Sequence, residues 1–172
     1  MKKVILMLLW AAMVLPLCGQ VTQKPAQNNS KTEALPKVYD EQVDAMVQID
    51  QAIVQAQQSS KLVICQVGGN WCPWCLRFAK FISDDPEIAK VVEDNFVYVH
   101  INTSKTNKNR EALVRLGNPG RFGYPVFVIL DTDGRVLHIQ NSSYLEQGNS
   151  YDRKKVLEFF LNWTRQAIEN IK

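Results

Sequence analysis

The sequence predicts an α/β protein with a four-stranded mixed sheet flanked by helices. Stretches in which apolar residues recur at helical spacing alternate with short apolar runs rich in valine and isoleucine, the pattern of helices alternating with buried strands. The first two strands are separated by helical segments and are therefore expected to be parallel. The last two are separated only by Asp131-Thr132-Asp133-Gly134, which is typical of a hairpin turn and predicts antiparallel pairing.

Residues 1–19 have the pattern of a signal peptide. Lys2-Lys3 precede an apolar stretch, Val4–Leu15, that is shorter than the roughly 20 residues of a membrane-spanning helix. We expect cleavage after Gly19. In the alternative interpretation, the segment that ends at Cys18 is a lipobox and Cys18 carries a lipid anchor. Both interpretations predict an exported protein.

Residues 20–37 are predicted to form a flexible linker, and residues 38–172 are predicted to form one domain. The linker is rich in Gln, Asn, Lys, Ser and Pro and has almost nothing to bury. The domain opens with apolar residues at helical spacing between Asp40 and Gln58, which predict an amphipathic helix. Ser59-Ser60 interrupt this pattern before the first strand, Lys61–Val67.

Residues typical of helix starts predict two of the later helices. Asp85-Pro86-Glu87 has an N-cap aspartate, a proline at the first helical position and an acid in the first turn, so it predicts a helix start. Asp152 is expected to cap a final helix whose broad apolar face continues to Ala167. The other predicted elements are a helix that includes Leu76–Ile82, a strand at Phe96–Ile101, a polar loop at Thr103–Asn109, a short helix at Arg110–Leu116, strands at Val126–Leu130 and Arg135–Gln140, and a loop at Asn141–Ser150.

Cys72-Pro73-Trp74-Cys75 lies between the first strand and the helix that follows it. Cys72 is expected at the N-cap and Pro73 at the first helical position, where its missing N–H costs nothing. The unpaired N–H groups and the positive end of the helix macrodipole stabilise a thiolate at Cys72. Cys75 lies about one turn further on the same face, close enough to form a disulfide. Cys72 is thus the candidate nucleophile of a thiol–disulfide exchange, and Cys75 is the candidate resolving cysteine.

Trp71-Cys72-Pro73-Trp74-Cys75 after a strand resembles the active site of the thioredoxin superfamily. Residues 72–102 and 123–135 resemble its secreted or periplasmic thioredoxin-like members, and the similarity covers most of residues 39–172. The resemblance implies the thioredoxin fold and a redox-active Cys72–Cys75 disulfide in place of a dissociable cofactor. It also implies a protein-disulfide oxidoreductase of the periplasm, with a lipid-anchored or a secreted protein as the alternatives.

The resemblance further assigns a substrate groove beside the cysteines. Pro125 matches the cis-proline of the family, whose loop offers backbone pairing to a substrate; the alternative is a trans proline that merely starts a strand. Tyr124 would border the groove and narrow it. Trp71 and Trp74 would offer an apolar platform to a partner, with Trp74 facing solvent. For Trp71, packing on the domain edge for stability alone is the alternative.

Gln66 is a departure from the family pattern. Thioredoxins usually have a buried carboxylate about six residues before the nucleophile, where it assists deprotonation of the resolving cysteine, and Gln66 occupies the matching position. An amide forms hydrogen bonds but does not act as a base. We therefore expect slower activation of Cys75 and a poorer general disulfide reductase than a housekeeping thioredoxin.

The other residues with reactive or metal-binding side chains are assigned structural roles. Cys65 lies within the first strand and is expected to be an inert buried thiol. His100 and His138 lie in predicted strands and belong to no metal-ligand spacing, so no metal site is predicted. The net charge is +3 and the lysines and arginines are scattered, which does not indicate a nucleic-acid partner.

The sequence is compatible with more than one function. In the first interpretation, an enzyme exchanges electrons with disulfide- or thiol-bearing exported proteins, as a reductase or isomerase, and a membrane electron donor or acceptor is its redox partner. In the second, the same fold is a non-catalytic binding or redox-sensing module; a zinc-binding module is a further alternative. The complete motif, with Cys72, Cys75 and Pro125, favours the enzyme. The loops at Thr103–Asn109 and Asn141–Ser150 are expected to determine specificity.

Overall fold

The computed structural model describes residues 35–170, which contain a four-stranded sheet in the order β2-β1-β3-β4. β1 (Leu62–Gly68) pairs parallel with β2 (Phe96–Asn102) and antiparallel with β3 (Val126–Leu130). β3 in turn pairs antiparallel with β4 (Val136–Asn141). The predicted mixed sheet is confirmed, including the helical crossover between β1 and β2 and the hairpin between β3 and β4.

β1 and β3 are the central strands because their side chains are almost all apolar. Every residue of both strands is buried, whereas β4, at one edge, has no fully buried residue. Strands that are buried on both faces must be covered on both sides. The sheet accordingly has a layer of helices on each face.

Within the described residues, six α-helices surround the sheet, and side-chain caps start most of them. Asp44, Asp85, Asp152 and Thr164 each accept a hydrogen bond from a backbone N–H of the first turn, which satisfies a donor that the helix leaves unpaired. The helices are α1 (Ala45–Ser59), α2 (Pro73–Asp84), α3 (Pro86–Asn95), α4 (Arg110–Arg115), α5 (Arg153–Asn162) and α6 (Arg165–Glu169).

Two separate cores lie on the two faces of the sheet. α1 and α4 cover one face, and the core there contains alternate side chains of β1, including Cys65. α2, α3 and α5 cover the other face, where the core contains Ile64 and a group of aromatic rings around Phe78, whose ring centroid lies 4.4 Å from that of Phe127. The alternation of side chains along β1 therefore decides which of its residues lie on the side of α2 and its cysteines.

The start of α1 differs from the prediction. The helix begins at Ala45, several residues later than its apolar pattern suggested, because Asp44 caps it by accepting from the N–H of Met46. The carbonyls before the cap are bound elsewhere, since the side chain of Asn107 donates to the carbonyls of Glu41 and Val43 (both 3.1 Å).

The end of the chain also differs from the prediction. The predicted loop at Asn141–Ser150 contains a 3₁₀ turn, Ser142–Leu145, and a small two-stranded sheet of β5 (Glu146–Gln147) and β6 (Ser150–Tyr151). The predicted final helix is divided into α5 and α6 at Trp163, whose ring stacks on that of His138 (centroids 4.5 Å apart). Ala167 is exposed on α6, so the single apolar face predicted to extend that far is wrong.

The predicted signal peptide at residues 1–19 and most of the predicted linker at residues 20–37 lie outside the described residues. Leu35 and Val38, where the described chain begins, are partly buried against the cluster that contains the cysteine pair. None of the helices within residues 35–170 has the length and apolar character needed to cross a membrane.

Candidate active site

Cys72 and Cys75 form a disulfide where β1 has ended and α2 begins. As predicted, Cys72 is the N-cap and Pro73 the first residue of the helix. The two Cα atoms are 5.2 Å apart, and the Sγ of Cys72 accepts a hydrogen bond from the N–H of Cys75 (3.2 Å). Cys75 is completely buried, whereas 5% of Cys72 remains exposed. Of the two, Cys72 is therefore the cysteine that a substrate can approach.

The Gly-Gly pair before the motif allows other groups to approach the disulfide closely. A Cβ on Gly68 would lie 2.4 Å from the Sγ of Cys75 and 2.9 Å from the hydroxyl oxygen of Tyr39. A Cβ on Gly69 would lie 2.4 Å from the indole nitrogen of Trp71. A larger residue at either position would displace these groups, so the two glycines are required by the packing of the site.

Trp71 and Tyr124 form an aromatic wall beside the cysteines. Trp71 is 55% exposed, its Nε1 donates to the carbonyl of Thr103 (2.6 Å), and its ring lies edge-on to that of Tyr124 (centroids 5.4 Å apart). The peptide bond between Tyr124 and Pro125 is cis, as the resemblance implied. An exposed indole that is held by a hydrogen bond and a ring contact presents a positioned apolar surface.

Trp74 does not project freely into solvent, contrary to the prediction. It is half-buried, its ring lies edge-on to that of Tyr151 (centroids 5.4 Å apart), and the guanidinium of Arg77 lies over it, 4.6 Å from the ring centroid. The Tyr151 hydroxyl also donates to the carbonyl of Trp74 (3.0 Å). Trp74 therefore joins α2 to β6, and Trp71 is the more exposed apolar surface at the cysteines.

Gln66 is completely buried and contacts the backbone of Cys75. Its Nε2 donates to the Cys75 carbonyl (3.0 Å) and to the Tyr39 hydroxyl (2.6 Å), while its Oε1 accepts from the Tyr98 hydroxyl (2.6 Å). Both ends of the amide are thus paired, and a neutral side chain is stable at a position where thioredoxins usually have a carboxylate. Burial raises the pKa of both tyrosines well above the usual range, so both hydroxyls stay protonated at neutral pH.

Asn70 holds the segment before α1 against the site, a role that the sequence analysis missed. Its Oδ1 accepts from the N–H groups of Val38 (3.2 Å) and Tyr39 (3.1 Å). Its Nδ2 donates to the Tyr39 carbonyl (2.8 Å) and to the Glu41 carboxylate (3.1 Å). The sequence hint was an asparagine at the turn directly before Trp71, because asparagine side chains at turns commonly bind backbone groups.

Cys65 and His100 lie on opposite faces of the sheet. Cys65 is a buried free thiol on the α1 side, as predicted, and burial raises its pKa to about 12. His100 lies on the other face with its ring edge-on to those of Tyr39 (centroids 5.1 Å apart) and Tyr98 (5.4 Å), and burial lowers its pKa to about 4. Within residues 35–170, no three His, Cys, Asp or Glu side chains are grouped so as to hold a metal ion.

Comparison with known proteins agrees with this geometry. Residues 44–132, more than half of the chain, match the protein family described as thioredoxin-like. The disulphide isomerase from Xylella fastidiosa Temecula1 is 25% identical, with a TM-score of 0.66 over 75% of this chain and 98% of that protein. A thioredoxin from Thermus thermophilus is 20% identical (TM-score 0.49, 69% of this chain and 85% of that one). The oxidised C-terminal domain of DsbD from Neisseria meningitidis is 18% identical (TM-score 0.49, 74% and 98%). No curated protein matches the sequence.

A cysteine pair at the start of a helix, on a four-stranded mixed sheet of this order, defines the class of thiol–disulfide oxidoreductases. The chain belongs to the thioredoxin-like family. The fold and the family expected from the Trp71–Cys75 motif are confirmed.

Proposed function

We propose that this protein reduces or isomerises disulfides of exported proteins, with Cys72 as the nucleophile and Cys75 as the resolving cysteine. The observation that carries the proposal is the asymmetry of the pair: Cys72 is the N-cap of α2 and adjoins the exposed Trp71, whereas Cys75 is completely buried. The amide groups and the dipole at the start of α2 favour a thiolate at Cys72. A substrate disulfide therefore meets Cys72 first, and Cys75 is available one turn away for the second step.

In the reducing direction, the Cys72 thiolate attacks one sulfur of the substrate disulfide. A mixed disulfide forms, and the other substrate sulfur leaves as a thiolate. Cys75 then loses its proton and attacks the Cys72 sulfur, which forms the Cys72–Cys75 disulfide and releases the second substrate thiol. Two electrons pass to the substrate and the protein is oxidised, so no dissociable cofactor is needed. A membrane electron donor would return the pair to the dithiol.

Isomerisation shares the first step but not the second. A second thiol of the substrate attacks the mixed disulfide in place of Cys75, and no net electron transfer occurs. Gln66 supports this branch of the proposal, because a neutral amide next to Cys75 provides no base and a slowly activated Cys75 prolongs the mixed disulfide.

The proposed location depends on residues 1–19 alone. The mature protein would be periplasmic, with a lipid anchor at Cys18 or secretion as the alternatives. Mass spectrometry of the exported protein tests this, because a mature chain that begins at Gln20 indicates cleavage after Gly19, whereas a lipid-modified Cys18 indicates the anchor.

Insulin reduction, with dithiothreitol as the source of electrons, tests the catalytic function. We expect turnover by the wild type and none by Cys72→Ser. Cys65→Ala removes the buried thiol on the other face of the sheet and is expected to retain activity. Equal turnover in Cys72→Ser would contradict the proposal. A wild type without turnover would favour the non-catalytic binding or redox-sensing module.

The direction of electron flow is set by the redox potential of the Cys72–Cys75 pair. It is measured against glutathione, together with the thiolate pKa of Cys72 from its ultraviolet absorbance. A potential well below that of the glutathione pool, with a Cys72 pKa near neutrality, indicates a reductase. A high potential with a thiolate pKa at the low end of the roughly 3.5–7.5 range of activated cysteines indicates an oxidase or isomerase.

A further inference from the structure

A groove of about 800 Å³ begins at Trp71 and follows the loop between β2 and α4. Trp71 and Leu113 contribute apolar surface to the groove, and Lys105, Lys108 and Arg110 contribute positive charge. The loop is attached to the cysteine site, because the carbonyl of Thr103 accepts the hydrogen bond from the Trp71 indole (2.6 Å). This loop, residues 103–109, is one of the two expected from the sequence to determine specificity.

The positive side chains of the groove form no ion pair with the described part of the chain. Within residues 35–170, the side chains of Lys105, Lys108 and Arg110 make no ion pair and no hydrogen bond. The acid that lines the groove, Glu41, is bound to the side chain of Asn70 (3.1 Å). Other cations of the chain, by contrast, are paired with acids, as in Arg115–Asp50, Arg153–Asp85 and Arg165–Glu169.

Two further acids lie nearby but do not line this groove. Asp44 and Glu111 line a separate hollow of about 440 Å³, which shares Arg110 with the groove. The negative charges of Asp44 and Glu111 therefore lie near Arg110, whereas the groove itself is lined by one acid, Glu41. Lys105 and Lys108 are consequently the charges that distinguish the groove.

The groove is close to the reacting sulfur. Trp71 directly precedes Cys72, and its ring is held between the Thr103 carbonyl and the ring of Tyr124. A substrate chain that is bonded to Cys72 therefore lies next to a residue that lines the groove. An extended chain advances about 3.3 Å per residue, so we expect a substrate that follows the ring to reach the groove within a few positions of the bonded cysteine.

We propose that the groove binds an acidic segment of the substrate protein next to the target cysteine. This inference rests on the proposed function and adds a substrate class to it. A polypeptide segment with both apolar and acidic side chains fits the groove. Its apolar side chains can pack against Trp71 and Leu113, and its acidic side chains can pair with the unpaired cations. Opposite charge accelerates the encounter with such a segment, and like charge rejects a basic one.

Disulfide peptides of matched length test the proposal. Each peptide has one intramolecular disulfide and, outside its cysteines, flanking residues that are acidic, neutral or basic on either the N-terminal or the C-terminal side. The measurement is the second-order rate constant for oxidation of the reduced protein. At an ionic strength of about 0.01 M, where the Debye length is about 30 Å, we expect the acidic peptide to react about tenfold faster than the basic one. The difference should nearly vanish at about 1 M salt.

The double variant Lys105→Glu, Lys108→Glu is expected to reverse the preference. The double variant Lys154→Glu, Lys155→Glu is the matched control, because it changes the net charge by the same amount. Both lysines are exposed on α5, which covers the opposite face of the sheet from α4, and this variant should keep the wild-type order of rates. Equal rates for the acidic and basic peptides in the wild type would overturn the proposal. The same preference in the Lys105→Glu, Lys108→Glu variant as in the wild type would also overturn it.

A binding measurement separates failure of this proposal from failure of the proposed function. The same peptides with serine in place of cysteine are titrated against the protein, and the indole N–H resonance of Trp71, assigned with Trp71→Phe, is followed by NMR. We expect the acidic peptide alone to shift this resonance, even if no peptide is reduced. A shift with anionic phospholipid vesicles but not with the peptide would assign the cations to a membrane surface. A salt-sensitive dimer that lacks peptide binding would assign them to a second copy of the chain. Either result would overturn the proposal.

Discussion

At the scale of single residues, the site is marked by a buried neutral side chain, Gln66, next to Cys75. The Gln66 amide is held by Tyr39, Tyr98 and the Cys75 carbonyl, and it is completely buried. A buried polar group without a partner costs about 1–3 kcal/mol, so this arrangement is stable only while both tyrosines contribute. The network therefore satisfies the buried amide but provides no base next to Cys75.

The substitution Gln66→Glu is expected to change the acid–base chemistry of Cys75. A buried carboxyl next to Cys75 has a raised pKa and can accept a proton near neutral pH. We expect the rate of resolution of a mixed disulfide to increase by about tenfold, with a new inflection in its pH profile. The measurement is rapid-quench trapping of the mixed disulfide. Gln66→Met removes the same hydrogen bonds without adding a base, and it should show no new inflection. An unchanged rate and pH profile in Gln66→Glu would mean that the amide does not limit activation of Cys75.

The substitution Tyr39→Phe is expected to affect both stability and Cys75. The Tyr39 hydroxyl accepts from Gln66, and both this hydroxyl and the Sγ of Cys75 lie within 3 Å of the position that a Cβ on Gly68 would occupy. Among the described residues the Tyr39 proton has no acceptor, and we expect it to bind the Cys75 thiolate once the disulfide opens. We expect the free energy of unfolding to decrease by about 1–2 kcal/mol and the pKa of the Cys75 thiol to rise.

Urea unfolding and the pH dependence of Cys75 alkylation, measured in the Cys72→Ala background, check these two effects. Tyr144→Phe is the control, because Tyr144 is 72% exposed. A loss of stability with an unchanged Cys75 pKa would restrict Tyr39 to a structural role.

At the scale of elements, two segments without regular structure, the one before α1 and the loop after β2, are hydrogen-bonded to the β1–α2 turn that carries the cysteines. Asn70 binds the segment before α1, and Thr103 in the loop after β2 binds Trp71. Asn107 in turn connects the two, because it donates to the carbonyls of Glu41 and Val43. The β1–α2 turn, the segment before α1 and the loop after β2 therefore hold one another in place around the cysteines.

The substitution Asn70→Ala is expected to release the segment before α1. It removes four hydrogen bonds, three of them to the backbone of Val38 and Tyr39. We expect amide hydrogen exchange at these two residues to accelerate by at least about tenfold, and stability to decrease by about 2 kcal/mol. Hydrogen exchange followed by NMR measures the effect. Asn95→Ala removes one side-chain hydrogen bond, to the Val91 carbonyl near the end of α3, and should leave these amides protected. Equal protection in Asn70→Ala would show that other contacts hold the segment.

At the scale of the whole molecule, the features that could be predicted from the sequence are those that neighbouring residues determine. The buried runs of β1 and β3, the N-cap Asp85 and the Cys72-Pro73 helix start are set by neighbouring residues, and all were predicted. The contact between Asn70 and Tyr39 joins residues 31 positions apart, which periodicity does not report. The position of Trp74 and the break at Trp163 likewise depend on distant partners, Tyr151 and His138. The motif therefore identified the cysteines, but not the groups that surround them.

His100 is expected to make the stability of the folded protein depend on pH. His100 is half-buried between the rings of Tyr39 and Tyr98, its buried Nε2 has no hydrogen-bond partner within residues 35–170, and desolvation lowers its pKa to about 4. The unfolded chain has the ordinary histidine pKa of 6.5. Between these two values the unfolded state binds a proton that the folded state does not. Stability is therefore greatest above about pH 6.5 and decreases as the pH falls through this window.

The expected loss is about 3 kcal/mol at pH 4, and His100→Phe should remove most of it, because a neutral ring of similar size takes no proton. Urea unfolding of the oxidised protein at several values between pH 7 and pH 4 measures the dependence. Asp85→Asn is the control: hydrogen bonds from Arg153 and from backbone N–H groups lower the pKa of Asp85, so its contribution is lost only at more acidic pH and the slope within the window should persist. If His100→Phe kept the slope of the wild type, another group would be responsible for the acid sensitivity of the fold. A stability of His100→Phe that does not change between pH 7 and pH 4 would instead show that protonation of His100 limits the stability of the wild type in mild acid.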